Sequence, residues 1–190
     1  MSIVFSNKDA HSFLGKGVIH TDAGMLGIWD YSAFEHIEDY DSWDEELCED
    51  EDIIRHIKTG EFVPIELGDG VFGIDIRFGP ISQMSDRERE YLLVPARPYL
   101  LKTKGKVCIS GIEQVEKDIG DNTLVIDLPE GKYSVYSNLI DWAQEPGALD
   151  ENGKPSKDAL PDLIIYLDPQ PIDGKYREVT ETFLKEDAIR

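Results

Sequence analysis

Between Glu35 and Asp52 the chain carries eleven acidic residues and no lysine or arginine: Glu35, Glu38, Asp39, Asp41, Asp44, Glu45, Glu46, Glu49, Asp50, Glu51 and Asp52. Carboxylates in that number cannot enter a core, because unpaired buried charge costs far more than packing returns. The stretch must therefore be either a solvated tail or an ordered surface. Helix signals inside it favour the second. Ser42 followed by Glu45 is a capping-box pattern, and Trp43, Leu47, Ile54 and Ile57 recur at helical spacing. Arg55, His56 and Lys58 precede Gly60 as a C-terminal signal. The pattern predicts one amphipathic helix over roughly 43–58 and a shorter one near 32–38, begun by Ser32 and Glu35. Together they form an acidic helical insertion over 32–59.

The rest of the chain reads as strands and turns. Gly17–Thr21 and Met25–Trp29 flank Asp22-Ala23-Gly24, and Phe62–Leu67 and Val71–Phe78 flank Asp69-Gly70. Both are read as hairpins, the second the more strongly because Asp-Gly suits a two-residue type I′ turn. Further short strands are expected at Leu92–Val94, Tyr99–Thr103, Val107–Ser110 and Leu163–Asp168. Thr123–Leu128 and Lys132–Tyr136 form another pair, joined by Pro129-Glu130-Gly131. The expected fold is mainly β with α (α+β): an antiparallel β-sandwich or barrel-like sheet in one domain over 1–190. The stretch 143–161, rich in Pro, Gly, Lys and Asp, reads as a long surface loop.

Charge and composition exclude several classes. With 190 residues and 41% hydrophobic content the chain can bury a core. A net charge of −20 repels phosphate backbones and anionic lipid, so neither nucleic acid nor membrane is the expected partner. No apolar run approaches the length a bilayer needs. The N-terminal residues lack the features of a secretory leader, and Cys48 and Cys108 show no redox or metal spacing. The location expected from these features is cytoplasmic. Cys48 sits among acids that raise its pKa and make it a poor nucleophile.

Motifs for chemistry fail in context. Gly68-Asp69-Gly70-Val71-Phe72-Gly73 matches a dinucleotide-binding string, but Val71, Phe72, Ile74 and Ile76 continue as a strand where a helix would be needed. Asp39, Asp41 and Asp50 do not make a calcium loop, since Asp44 stands where the tight-turn glycine belongs. His20, Asp22 and His36 could form a small transition-metal site, although nothing in their spacing fixes one. No nucleophile elbow, thiol-hydrolase signature or phosphate loop is present. No cofactor and no catalytic residue is expected.

What the composition does favour is a basic protein partner. Trp29 and Trp43 flank or lie within the acidic run. Aromatic rings beside carboxylates suit recognition of Arg- and Lys-rich surfaces, with acids steering the approach. The candidate contact set is therefore Trp29 and Trp43 with the eleven acids. The alternative is a β-sandwich protein that binds a small ligand or metal, or a hydrolase using scattered carboxylates.

Two segments carry a family likeness. Leu93-Val94-Pro95-Ala96-Arg97-Pro98-Tyr99 through Val107–Ile112, and Leu124-Val125-Ile126-Asp127-Leu128-Pro129-Glu130-Gly131-Lys132-Tyr133-Ser134-Val135, resemble bacterial competence nuclease inhibitors. The segments at 21–24 and 68–72 look similar to proteins grouped with bacterial toxin-immunity families. The likeness covers about a quarter of the chain and excludes the acidic insertion. It implies a non-enzymatic inhibitor whose partner is a toxin or nuclease, and it carries over no site residue.

Overall fold

The computed structural model describes residues 12–95 and 97–183; the N-terminal residues read above for a leader lie outside this range. Ten strands form two sheets. The larger is built from β1 (Ser12–Thr21), β4 (Gly70–Phe78), β10 (Leu163–Asp168), β9 (Gly131–Ile140) and β5 (Leu92–Pro95) in that order, and β6 (Tyr99–Thr103) continues along β9 beside β5. The smaller runs β3 (Phe62–Glu66), β2 (Met25–Asp30), β7 (Lys106–Gly111), β8 (Leu124–Asp127). The result is α+β and sandwich-like, not a closed barrel. It is largely antiparallel, with one exception: β10 pairs β4 in parallel, Leu163 opposite Ile74 through Leu167 opposite Phe78.

The expected hairpins are absent, and their turns do something else. Thr21 pairs Gly70 and Met25 pairs Glu66, so the strands on either side of Asp22-Ala23-Gly24 lie in different sheets. The same holds for Asp69-Gly70 between β3 and β4, for Lys104-Gly105 between β6 and β7, and for Pro129-Glu130 between β8 and β9. Each short turn is an arch from one sheet to the other. The first two arches lie side by side, with Gly24 O accepting from the backbone N–H groups of Leu67 (3.1 Å) and Gly68 (2.9 Å). Gly24 and Gly68 have φ of 75° and 87°, where a side chain would be strained. A second tie comes from Glu113, which accepts from the Thr21 hydroxyl (2.9 Å) and the Asp22 backbone N–H (3.0 Å). The turn chemistry was legible, but it does not say whether the chain returns beside itself or crosses to another layer.

β2 is central in the smaller sheet and buried from Leu26 to Asp30. Trp29, at its end, meets Phe34 edge-on at 5.9 Å, and Phe34 meets the Phe62 ring at 6.3 Å. This face of the sheet is covered by the helical segment between β2 and β3: α1 (Tyr31–Phe34), α2 (Tyr40–Leu47) and α3 (Asp50–Thr59). Phe34, Ile37, Leu47, Ile53 and Ile57 join the same core as the strands. Asp30 ends β2 with a buried carboxylate, satisfied by the Thr103 hydroxyl (2.7 Å) and the Lys104 backbone N–H (3.0 Å) of the β6–β7 arch.

The outer face of the larger sheet has its own cover. Met84, Ile140, Leu160, Ile164 and Tyr166 form a second apolar cluster, flanked by Tyr91 and Trp142. α4 (Asp86–Glu90) and the 143–161 stretch lie over it, and Arg87 clamps them together through both Glu145 oxygens (2.5 and 2.6 Å). Trp142 donates to Asp162 at 2.7 Å. The 143–161 stretch buries Ala148 and Leu160. Residues 169–183 then cross back to the smaller sheet. Thr182 donates to Pro64 O (2.8 Å) and accepts from Glu66 N–H (3.0 Å), on the edge strand where a proline is tolerated.

Packing at the centre leaves no slack. A β-carbon on Gly27 would stand 2.3 Å from Cε2 of the buried Phe62 ring. Gly27→Ala is expected to cost about 1–3 kcal/mol through overpacking, read as a lower urea midpoint with an unchanged slope.

Candidate interaction surface

The single helix expected over roughly 43–58 folds as two. α2 stops at Leu47, Glu49 is extended (φ −98°, ψ 143°), and α3 begins at Asp50. A continuous helix would stack Glu45 on Glu49 and Glu46 on Asp50 as like-charge neighbours. The break instead places Asp50, Glu51 and Asp52 in the first turn of a new helix, where the exposed N–H groups favour negative charge. The start of α2 also differs from expectation. Asp39 is the cap, accepting from the Ser42 backbone N–H at 3.0 Å, and Ser42 supplies the reciprocal bond. The Ser42 backbone N–H, together with the Ser42 hydroxyl donating to the same oxygen at 2.7 Å, holds the Asp39 carboxyl below its usual range. The shorter helix ends at Phe34 instead of 38, and Ser32 donates to the Asp30 carboxylate instead of capping. The C-terminal signal is met: Gly60 has φ 81°, and its N–H donates to the carbonyls of His56 and Ile57.

The eleven acids fall into two groups. Glu46 and Asp52 are half-buried, and the other nine are exposed. Glu46 is the centre of a network: it accepts from Arg55 Nη2 (2.7 Å) and bonds His56 Nε2 (2.8 Å) and His36 Nε2 (3.3 Å). The other ring nitrogen of buried His56 faces Glu61 at 2.8 Å, and its ring packs 4.8 Å from Phe34. Arg55 also bonds Asp52 at 2.7 Å. Burial pushes the Glu46 carboxyl up, but the hydrogen bonds from His56, His36 and Arg55 outweigh it and leave the pKa below its ordinary value.

Of the exposed nine, Glu38 pairs with Lys117, Asp39 caps α2, and Asp44 accepts from the Tyr40 hydroxyl at 3.3 Å. Glu35, Asp41, Glu45, Glu49, Asp50 and Glu51 have no ion pair with a cation among the described residues. Asp41, Glu45, Asp50 and Glu51 stand on α2 and α3, and Glu35 and Glu49 at helix ends, with their charge unspent.

The two tryptophans separate. Trp29 is 0% exposed and donates to Ser110 Oγ at 3.1 Å, so it leaves the contact set. Its place was decided by β2 lying between β3 and β7 with helices over that face. Trp43 is half-buried, and its indole N–H donates to Ile112 O at 2.9 Å. The ring that reaches solvent is Tyr40, 70% exposed and stacked on Trp43 at 6.0 Å. Sequence reasoning passed over Tyr40, although its position next to the Asp39 cap marks it as the first residue of α2.

Other chemistry is not assembled here. Among the described residues no group of three or more His, Cys, Asp or Glu side chains converges to hold a metal. His36 is engaged by Glu46, whereas His20 bonds Asp22 (3.3 Å) and Asn122 (3.1 Å). The hydrogen bond to Asp44 and nearby carboxylates push the exposed Cys48 thiol up, as expected, and burial pushes Cys108 up to about 12. Neither is an activated nucleophile. Among the described residues no helix is long and apolar enough to cross a membrane.

No family model and no curated protein matches the chain. A solved structure similar to it is that of ComJ from Bacillus subtilis, an inhibitor of the DNA degrading activity of NucA. The two are 13% identical, with 84% of this chain and 98% of that chain covered and a TM-score of 0.49. No residue role is carried over from it.

The network gives a pH prediction. The folded-state pKa of Glu46 lies below the ordinary 4.5, so its stabilising contribution is complete above that value and is lost as pH falls through the folded-state pKa. Glu46→Gln is expected to lower the urea midpoint at pH 7. Repeating the comparison near pH 3 should show a smaller gap between wild type and variant. A gap that is equal at both pH values would remove Glu46 as the acid-sensitive group.

Proposed function

We propose that this chain is a non-enzymatic inhibitor that neutralises a basic protein partner, a nuclease or toxin, through the acidic face of α2 and α3. The observation that carries this reading is the set of nine exposed carboxylates along the folded 35–51 segment, six of them without an ion pair among the described residues. Counter-charge satisfied within the chain would leave little field outside it, whereas unspent charge on a rigid support attracts a cationic surface at long range. Ordering matters as well, because a preformed surface loses less entropy on docking than a tail would.

In this reading the carboxylates present a nuclease with a field like that of its polyanionic substrate. Tyr40 offers its stacked ring to an arginine or lysine of the partner, where cation–π contact adds to the charge attraction. Glu46 and Asp52 hold the surface in shape from below and do not contact the partner. Inhibition of a nuclease is what the ComJ structure is described as performing; for this chain it remains a proposal resting on its own surface.

The test begins with capture from lysate of the native host at low and moderate salt, followed by kinetics with the purified partner. Replacing Asp44, Glu45, Asp50 and Glu51 with Asn or Gln, while leaving Glu46 intact, should slow association by about tenfold or more at low salt. The salt dependence should flatten at the same time, with the dissociation rate changing less. An unchanged association rate and salt slope would reduce the acidic face to a solubility device. A partner that is not basic would defeat the proposal outright.

A further inference from the structure

Beyond the C-terminal end of α3, several exposed lysines lie near one another. A groove of about 300 Å³ lies between α3, β6 and the segment 174–178. Its floor is Ile57, Leu100 and Tyr176, its rim carries Lys58 and Lys175 with one carboxylate at Glu178, and Arg177 lines it with its guanidinium nitrogens buried. Arg177 is positioned over the Tyr99 ring, 6.0 Å from its centroid. Lys58 and Lys175 are exposed and have no ion pair among the described residues.

The sheet extends this basic surface. Lys102 follows Leu100 on the same face of β6, two residues along. In register it stands directly opposite Lys132 of β9. Both lysines are exposed, and neither has an ion pair among the described residues. Like charges placed directly opposite on a sheet are destabilising, and in a chain with 39 acidic residues against 19 basic ones a carboxylate neighbour was readily available. Gly60 makes the approach possible: a β-carbon there would stand 3.1 Å from both Leu100 Cγ and Lys102 Cγ. Leu100 pairs Ser134, whose hydroxyl lies 3.0 Å from the Tyr176 hydroxyl and closes the end of the groove with polar groups.

We propose that this groove binds a small organic phosphate, with its phosphoryl group held between Lys102 and Lys132 and its apolar or planar body on Leu100, Ile57 and Tyr176. Two lysines a cross-strand distance apart can both reach one phosphoryl group, and each acts as a point charge that needs no fixed geometry. A bound phosphoryl group would offset the repulsion between the two like charges. The body of the ligand is selected by the apolar floor, which bare ions cannot use. A long polyanion is disfavoured by the net charge of −20. A small one inside the groove feels chiefly the nearby lysines, because at physiological salt more distant charges are screened beyond about 8 Å.

The test is a titration of the full ¹⁵N-labelled chain followed by amide chemical shifts. The probes are inorganic pyrophosphate, adenosine 5′-diphosphate and a short single-stranded oligonucleotide, with sodium chloride at matched ionic strength as control. Saturable shifts are expected at Lys58, Leu100, Lys102 and Tyr176 with the first two probes and not with chloride. The diphosphate nucleoside should bind more tightly than pyrophosphate. Lys102→Gln with Lys132→Gln should keep the dispersed spectrum and the melting temperature, or raise the latter, while weakening binding by about tenfold, the equivalent of one good charge contact. Absence of saturable shifts overturns the proposal, as does equal binding by the double variant. Tighter binding of the oligonucleotide than of the nucleotide overturns it in favour of nucleic acid.

Discussion

The face of the four-stranded sheet that carries Trp29 and Phe62 looks away from the second sheet and must be covered for the sandwich to be stable. Phe34 is the side chain that meets both rings, and it comes from the first turn of the helical segment between β2 and β3. Burying three aromatic rings in contact removes several hundred Å² of apolar surface from water. No other described element covers that face as closely. The remainder of the segment follows from this anchor. Its apolar stripe, Ile37, Leu47, Ile53 and Ile57, continues the cover, and its carboxylates are left on the side facing water. The acidic surface is thus the reverse side of a structural lid.

That lid also explains the network beneath the acids. His56 packs on Phe34 and bonds one carboxylate from α2 and one from the start of β3. It joins the apolar cover to the charged surface within one side chain. Glu46, whose carboxylate could have been spent on a partner, is used to fasten α2 to α3. Division of labour among chemically similar residues follows depth in part: half-buried Glu46 and Asp52 hold the helices, and six of the nine exposed acids have no ion pair among the described residues. At the other end of α3 the chain gathers its scarce lysines around a groove. The exposed acids at the start of α3 and the exposed Lys58 near its end thus lie at opposite ends of one short helix.

Several elements were readable from local pattern. The apolar spacing of Trp43, Leu47, Ile54 and Ile57 marked the inward side of the insertion, and Gly60 marked its end. Strand positions follow apolar pattern and turn residues closely, as at β4, β8 and β10. What local pattern missed has a common cause. Asp69-Gly70 and Asp22-Ala23-Gly24 are good turns in any fold, and a hairpin and an arch use similar turn residues. They differ in whether flanking strands bond each other or bond strands far along the chain, as Thr21 does with Gly70. The break at Cys48-Glu49 was likewise missed, since the apolar helical spacing of Trp43, Leu47, Ile54 and Ile57 continues across it.

By itself the sequence determined that this chain is β-rich with an ordered acidic helical segment, because alternation, capping residues and charge act over a few neighbouring positions. Tertiary structure decided which strands share a sheet, that Trp29 is core while Tyr40 is surface, and which acids remain unpaired. It also decided that Lys102 opposes Lys132. Each of these depends on contacts between residues roughly 30 to 100 positions apart, such as Trp29 with Ser110 or Lys102 with Lys132. Pairings of that range are set when layers pack, and short-range pattern carries no record of them.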